Sequence, residues 1–190
     1  YIIDGKNNEE ILWKNIRSST RSDINKSKKQ GVEIKLDLGF DKFYKLIEGT
    51  FAKQNMKIPY NKGILKSLID SCKEKKNGEI LFAVDKENNI MATSFLVWDN
   101  YSTYYILSGI DDKFKKTGAS SFLMWESILY GLEKASKFDF EGSMFERIET
   151  FFRSFGTEQR IYFEISKISS RSLKIRNAFS EIKKALKNAK

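Results

Sequence analysis

Histidine is absent from this chain of 190 residues. Without an imidazole, a Ser-His-Asp or Cys-His mechanism and a histidine-ligated zinc site are excluded. Any catalysis must then rely on carboxylates, tyrosine, serine, lysine, arginine or backbone amides. No apolar run approaches the length that crosses a membrane, and the first residues are too polar for a signal peptide, so neither feature is predicted.

Cysteine is almost absent as well, since Cys72 is the only one. A single cysteine cannot form an internal disulfide, which together with the missing signal peptide predicts a cytoplasmic location. Cys72 shares one side of a predicted helix with Leu65, Leu68 and Ile69. This spacing predicts a position in the core.

Acidic residues are fewer than basic ones, with 25 Asp and Glu against 34 Lys and Arg, a net charge of +9. The excess is concentrated in residues 171–190. It indicates an anionic partner, which could be a phosphate group, a nucleic acid such as tRNA, or an anionic membrane surface.

A hydrophobic content of 41% is ample for a core, so the sequence predicts one domain over residues 1–190. Apolar periodicity predicts its elements. A mostly helical part covers 1–77, a sheet core covers 79–166, and a basic helix covers 169–190. The predicted elements are helices at 9–31, 40–53, 64–76, 117–137 and 144–155, and strands at 32–36, 79–84, 90–98, 102–110, 138–141 and 160–165. This order predicts an α/β (α+β mixed) fold with a central, mostly antiparallel sheet flanked by helices.

The loop between the third strand of the sheet core and the long helix is the first candidate site. It consists of Lys115, Lys116, Thr117, Gly118, Ala119 and Ser120. Small residues let a phosphate approach the backbone, and the first amides of a helix are unpaired donors. The lysines add positive charge. The alternative is an ordinary helix start.

The segment from residue 138 to 156 is the second candidate site. Alternation places Phe138 and Phe140 on one face of a strand, and Asp139 and Glu141 on the other. Arg153 follows among aromatic residues. Carboxylates so close to apolar surroundings are costly unless they are paired or used. The alternative is a strand end with solvated acids and a helix with one exposed arginine.

The order of strand, basic loop, long helix and strand resembles the fold of the GNAT acyltransferases. In that family a loop of the form Gln/Arg-x-x-Gly-x-Gly/Ala binds the diphosphate of coenzyme A. Here the loop reads Lys115-x-x-Gly118-x-Ser120, with Lys for Gln/Arg and Ser for the last Gly. The resemblance implies acetyl-CoA or another acyl-CoA as co-substrate, bound by residues 115–120, and no metal.

Asp139-Phe140-x-Gly142, followed by Phe152-Arg153 and Phe155-Gly156, resembles the Fem-type peptidoglycan peptidyltransferases and related acetyltransferases of polysaccharide gene clusters. Those proteins share Asp-Phe-x-Gly and Phe-Lys-x-x-Phe-Gly. Their basic residue is thought to stabilise charge at the reacting carbonyl. Arg153 keeps that charge but cannot shuttle a proton, so it fits binding of an oxyanion or phosphate.

The helix from Trp13 to Gly31, which contains Arg21 and Lys26, is similar to the helix that opens the second half of Fem-type proteins. Those proteins have two GNAT-like halves, and this chain resembles only the second. The resemblance therefore implies that an N-terminal GNAT-like half is missing.

Acyl transfer to an amine needs a proton acceptor. The candidate carboxylates are Glu141 and Asp139, with Asp111 and Asp112 at the end of another strand, and we favour Glu141. In the alternative, Asp139 is structural and binds nearby backbone amides. We place Phe152 with Arg153 in the catalytic group. Tyrosines are candidates to protonate a leaving thiolate, namely Tyr104, Tyr105 and Tyr162, and substrate contacts are expected from Arg21, Lys26 and Tyr105.

The favoured function is transfer of an acyl group from acyl-CoA to an amino group of a sugar or another cell-envelope precursor. One alternative is an aminoacyl-tRNA-dependent peptidyltransferase of peptidoglycan bridge formation. The other is a non-catalytic binding module whose last helix docks a partner or an anionic membrane through Ile175, Phe179, Ile182 and Leu186.

Overall fold

The computed structural model describes residues 1–141 and 146–161, together with ten residues between 163 and 179. They divide into two compact units, Tyr1–Arg160 and Ile161–Lys190. Of the predicted strand at 160–165, residues 160, 161, 163 and 165 are described, and none of them lies in a strand. The predicted helix at 169–190 lies mostly outside the described residues, so it stays a prediction, as does the single domain over 1–190.

The unit Tyr1–Arg160 is built on one mixed sheet with helices on both faces. Its strands are β1 (Ile2–Asp4), β2 (Glu33–Leu36), β3 (Gly78–Val84), β4 (Ile90–Trp98), β5 (Ser102–Ile110) and β6 (Lys137–Asp139). Its helices are α1 (Glu9–Asn15), α2 (Ser18–Lys29), α3 (Phe40–Lys53), α4 (Lys62–Glu74), α5 (Ala119–Lys134) and α6 (Glu146–Arg153), with a 3-10 turn at Asp112–Phe114. The predicted fold class is confirmed.

The six strands follow the order β1-β6-β5-β4-β3-β2, and every neighbouring pair is antiparallel except β5 with β6. That parallel pair is short, because it joins only residues 102–104 to residues 137–139. Ile106 bulges out of β5, since Phe95 pairs with Leu107 and Leu96 with Tyr105. Among the described residues, β5 therefore leaves β6 after Tyr104, and a bulge increases the local twist there.

Two apolar layers cover the sheet, one on each face. α1, α2, α5 and α6 pack on one face through residues such as Ile24, Trp125 and Phe152. α3 and α4 pack on the other through Phe43, Ile69 and their neighbours. Cys72 belongs to the second layer, as predicted. Leu68, expected beside it, instead faces solvent with 47% exposure.

The predicted helix at 9–31 is two helices. Asn8 caps α1 by accepting a hydrogen bond from the amide of Ile11 (2.9 Å). The chain then becomes extended at Ile16 and Arg17. This break lets Ile16 enter the core, where it is 2% exposed. An apolar stripe alone does not reveal such a break, because a short bend can preserve it.

The strand β1 was not predicted from the sequence. Its three residues pair antiparallel with β6, and Ile2 and Glu158 exchange backbone hydrogen bonds of 2.9 and 2.8 Å. Three residues are too few to show alternation, so only the pairing with β6 reveals the strand.

Candidate active site

In the loop between β5 and α5, the backbone conformation and the close packing at position 118 fit only glycine. Gly118 has φ +86°, and a Cβ atom there would lie 2.3 Å from the carbonyl oxygen of Asp23 on α2. The loop is fixed to α2 a second time by Ser27, whose hydroxyl donates to the carbonyl of Thr117 (3.0 Å). One side of the loop is therefore covered by α2.

The first turn of α5 has free hydrogen-bond donors. The amide of Ala119 donates a hydrogen bond to the hydroxyl oxygen of Thr117 (3.3 Å). The first helical hydrogen bond runs from the amide of Phe122 to the carbonyl oxygen of Gly118 (3.0 Å). In the part of the chain that the structure describes, the amides of Gly118, Ser120 and Ser121 have no partner. These donors and the helix dipole favour an anion.

Lysines from three elements surround this loop. The ammonium group of Lys26 on α2 donates to the carbonyl of Lys116 (2.6 Å). Lys53 at the end of α3 pairs with Asp112 (2.6 Å), and Lys115 pairs with the same carboxylate. The hydrogen bonds from Lys115 and Lys53 hold the pKa of Asp112 below its usual value. The predicted basic character of the loop is thus built from residues distant in sequence.

The loop follows the carboxyl end of β5, beyond the point where β5 and β6 separate. Both strands run in the same direction, and β5 continues past its last pairing with β6, at Tyr104, as far as Ile110. The chain after β5 leads to the loop and α5, and the chain after β6 leads to Phe140 and Glu141. The two candidate segments therefore follow the carboxyl ends of two neighbouring parallel strands.

The strand that ends at Asp139 has the predicted alternation, since Phe138 and Phe140 are 0% and 1% exposed. Asp139 accepts a hydrogen bond from the amide of Glu141 (2.8 Å), which is the contact that its structural role requires. Glu141 adopts φ +59° and is exposed as a residue. Nearby protein still desolvates its carboxyl group and raises its pKa, and the charge of Asp139 adds to the effect. Gly142 lies outside the described residues.

Phe152 packs in the core and does not line an opening. It is 6% exposed, and its ring centroid lies 5.1 Å from that of Phe140 and 6.2 Å from that of Tyr105. This corrects the prediction that Phe152 is catalytic, because an aromatic ring enclosed by others contributes packing. Arg153 is exposed by 61% of its side chain and lies 3.5 Å from Glu149, which also accepts a hydrogen bond from the hydroxyl of Tyr1.

Tyr105 is also buried, with 8% exposure, and burial raises its pKa to about 12. The predicted substrate contact and proton donation by Tyr105 are therefore replaced by packing. Tyr104 donates its hydroxyl to Asp99 (3.0 Å) in the turn before β5. Tyr162 lies outside the described residues.

Arg21 does not face the loop. Its guanidinium donates to the carbonyls of Lys14 (2.9 Å) and Ile16 at the end of α1, so it closes that helix and holds α1 against α2. This corrects the expected substrate contact. Lys26, in contrast, does lie beside the loop.

Lys53 and Thr50 were not identified from the sequence. The hydroxyl of Thr50 accepts a hydrogen bond from the amide of Ile110 (3.1 Å), which fixes the end of α3 to the end of β5. About sixty residues separate these partners, and no local pattern marks either of them.

The described residues include no group of three or more Cys, Asp or Glu side chains placed to hold a metal ion. No helix among them is long and apolar enough to cross a membrane.

Solved structures resemble this one at low sequence identity, which shows the fold alone. FemX shares 13% identity with a TM-score of 0.75, over 83% of this chain and 58% of FemX. The acetyltransferase structure from Pyrococcus furiosus shares 11%, with a TM-score of 0.52, over 72% and 99%. An aminoglycoside acetyltransferase from an uncultured soil metagenomic sample, in complex with sisomicin, shares 17%, with a TM-score of 0.51, over 72% and 95%.

The chain thus spans less than two thirds of the length of FemX. No curated protein matches its sequence significantly. A family comparison does match, and it covers most of the unit described above: residues 14–144 fit the acetyltransferase (GNAT) domain. The chain therefore belongs to the GNAT acetyltransferase domain family.

Proposed function

We propose that this protein is an N-acyltransferase that uses acetyl-CoA or another acyl-CoA and acylates an amino group of a sugar or a related cell-envelope precursor. The observation that carries the proposal is the loop at residues 115–120. It combines free amides and lysines with a position at the carboxyl end of β5, the strand that separates from β6. Members of the family use an acyl-CoA as co-substrate.

The residues of the site fit the steps of this reaction. The free amides and lysines bind the diphosphate of the donor. The amine nitrogen attacks the thioester carbonyl, a C–N bond forms, and the C–S bond breaks as the thiolate leaves. Glu141 accepts the proton that the amine loses, and its raised pKa makes it a better base than an ordinary glutamate at neutral pH.

Arg153 fits stabilisation of the negative charge that develops on the carbonyl oxygen. Its guanidinium is exposed, and among the described residues its one ion pair is with Glu149 at 3.5 Å, so it is available to bind an anion. A sugar amine as acceptor is supported by the likeness in fold to an aminoglycoside acetyltransferase solved with sisomicin.

Calorimetric titration of acetyl-CoA into the intact protein tests the proposal. We expect saturable binding with one site, and weaker binding by Lys115→Ala. Lys45→Ala is the matched control, because Lys45 is an exposed lysine of α3 outside the loop. An absence of acetyl-CoA binding by the folded, unaltered protein would contradict the proposal.

A second candidate is the aminoacyl-tRNA-dependent, Fem-type reaction. It is favoured by the TM-score of 0.75 to FemX, which covers 83% of this chain. A gel shift with aminoacylated tRNA at several salt concentrations discriminates the donors, because binding to phosphates weakens steeply with salt.

The third candidate, a non-catalytic module that contacts an anionic membrane through its last helix, depends on residues that the structure mostly does not describe. Co-sedimentation with anionic vesicles, with and without residues 169–190, tests it. Equal binding by both forms would clear the helix of that role.

A further inference from the structure

The end of α3 brings a second cation to the loop that follows β5. Lys53 lies in the last turn of α3, and its ammonium group is 2.6 Å from a carboxylate oxygen of Asp112. Lys115 binds the other oxygen of the same carboxylate. Two ammonium groups therefore share one anion at the border of the loop, and each is only partly exposed.

This arrangement is held by backbone contacts and does not depend on the ion pairs alone. The hydroxyl oxygen of Thr50, one turn before Lys53, accepts a hydrogen bond from the amide of Ile110 at the end of β5. The backbone carbonyl of Asp112 accepts a hydrogen bond from the amide of Lys115 (3.3 Å). The backbones that carry Lys53 and Lys115 are thus anchored at the end of β5 and in the turn after it, independently of the ion pairs.

The lysines approach the loop from both faces of the sheet. α2 packs on the face that carries α5 and supplies Lys26, which binds the carbonyl of Lys116. α3 packs on the opposite face and supplies Lys53. One carboxylate shared by two lysines leaves an excess of positive charge beside the free amides of Gly118, Ser120 and Ser121.

We propose that Lys53 and Lys115 form a two-lysine clamp for a phosphate group of the acyl donor, and that Asp112 occupies the clamp until the donor binds. The carboxylate of Asp112 bridges the two ammonium groups as a phosphate oxygen would. Donor binding moves the ammonium groups from Asp112 to the phosphate. This inference rests on the proposed function and adds to it a binding residue from α3.

The test compares affinities for acetyl-CoA and for inorganic pyrophosphate by calorimetry. We expect Lys53→Ala to weaken both by about 5- to 10-fold, between the effect of an exposed ion pair and that of a hydrogen bond to a charged group. The effect should shrink at high salt. Lys42→Ala is the control, because Lys42 lies on the same face of α3 about 16 Å away and is exposed.

For Asp112→Asn we expect the affinity to change in the opposite direction from that of Lys53→Ala. Without its negative charge the lysines lose their internal partner, so both ligands should bind about 2- to 5-fold more tightly. If Asp112 served only to hold the loop in place, the same variant would bind more weakly. Weaker binding by Asp112→Asn, measured well below the melting temperatures of both proteins so that each is folded, would overturn the clamp.

The outcomes separate the clamp from the proposed function. Equal affinity of Lys53→Ala and Lys42→Ala for acetyl-CoA overturns the clamp and leaves acyl-CoA as the donor. Binding of pyrophosphate that depends on Lys53, without any binding of acetyl-CoA, keeps the phosphate clamp and contradicts the donor. If neither ligand binds the folded wild-type protein, both are wrong.

Discussion

At the scale of single residues, the candidate site contains two positions with a left-handed backbone, Gly118 and Glu141. Gly118 combines a left-handed backbone with direct contact to α2. Glu141 combines a left-handed backbone with a partly desolvated carboxyl group. Strained or desolvated residues of this kind cluster at functional sites, since the rest of the fold has to hold them in place.

Gly118→Ala should destabilise the protein, because a Cβ atom would clash with the carbonyl of Asp23 and the left-handed backbone would add a penalty of about 1–2 kcal/mol. Gly49→Ala is the matched control. Gly49 lies inside α3 with open space around it, so alanine should stabilise the helix by about 0.5–1 kcal/mol. Urea denaturation of both variants measures the two effects, and equal stabilities would contradict the account.

The rate of acyl transfer should fall as the pH falls through the pKa of Glu141. That pKa is raised above its ordinary value, so the acid limb should lie above the range of a solvated glutamate. Glu141→Gln should remove the limb and most of the activity, by about 10²- to 10⁴-fold in kcat. A pH profile of kcat/KM checks this, and an unchanged acid limb in Glu141→Gln would assign the base elsewhere.

The pKa of Asp112 is shifted in the opposite direction to that of Glu141. Its pKa is lowered by two lysines, so its contribution to stability is present above the ordinary pKa of an aspartate and is lost as the pH falls through the lowered value. Comparison of wild type and Asp112→Asn by thermal melts between pH 7 and about pH 2 should therefore show curves that converge in acid. Curves that stay parallel would show that the ion pairs do not contribute to stability.

At the scale of elements, α6 has two sides with different roles. Phe152 anchors the helix in an aromatic cluster with Phe140 and Tyr105, while Arg153 points toward solvent. Adjacent residues on a helix point about 100° apart, so packing and charge are separated within one turn. The pattern Phe-Arg is thus one structural residue followed by one available for binding.

Phe152→Ala should lower the stability by about 3–5 kcal/mol, because it leaves a cavity among buried rings. Arg153→Ala should lower kcat while the melting temperature changes little, because that side chain is mostly exposed. The two variants, measured by thermal melts and by initial rates, separate packing from catalysis. A loss of stability in Arg153→Ala similar to that in Phe152→Ala would contradict this separation.

At the scale of the whole molecule, three distant parts of the chain converge at the carboxyl end of β5. They are α2 with Lys26, the end of α3 with Lys53, and the loop before α5. Such convergence gives the loop a positive field from both faces of the sheet. Part of the net charge of +9 is thus concentrated around this loop, in addition to the basic residues at 171–190.

Salt should therefore weaken donor binding by the whole protein. Several lysines act together over distances within the Debye length of about 10 Å at 0.1 M salt, so affinity for acetyl-CoA should fall between low and high ionic strength. Calorimetry in two buffers measures the change. Affinity that is independent of salt would show that the lysines make no contact with the phosphates of the donor.

The sequence by itself determined the type and order of most elements, because each depends on local periodicity. The meander β3–β5, the helices α3 and α5, and the alternation of Phe138 and Phe140 were all predictable in this way. The glycine-containing loop was predictable too, since small residues at a helix start have a local meaning. The absence of histidine also limited the available chemistry, because composition alone decides which functional groups the chain contains.

Tertiary structure alone decided which side chains meet. β1 exists only because β6 offers it an edge, and the break between α1 and α2 exists because Ile16 is drawn into the core. The burial of Phe152 and Tyr105 follows from rings that come from other elements. The pairing of Lys53 with Asp112 joins residues far apart in the chain. Contacts of this kind depend on how layers pack, and no local pattern of residues encodes them.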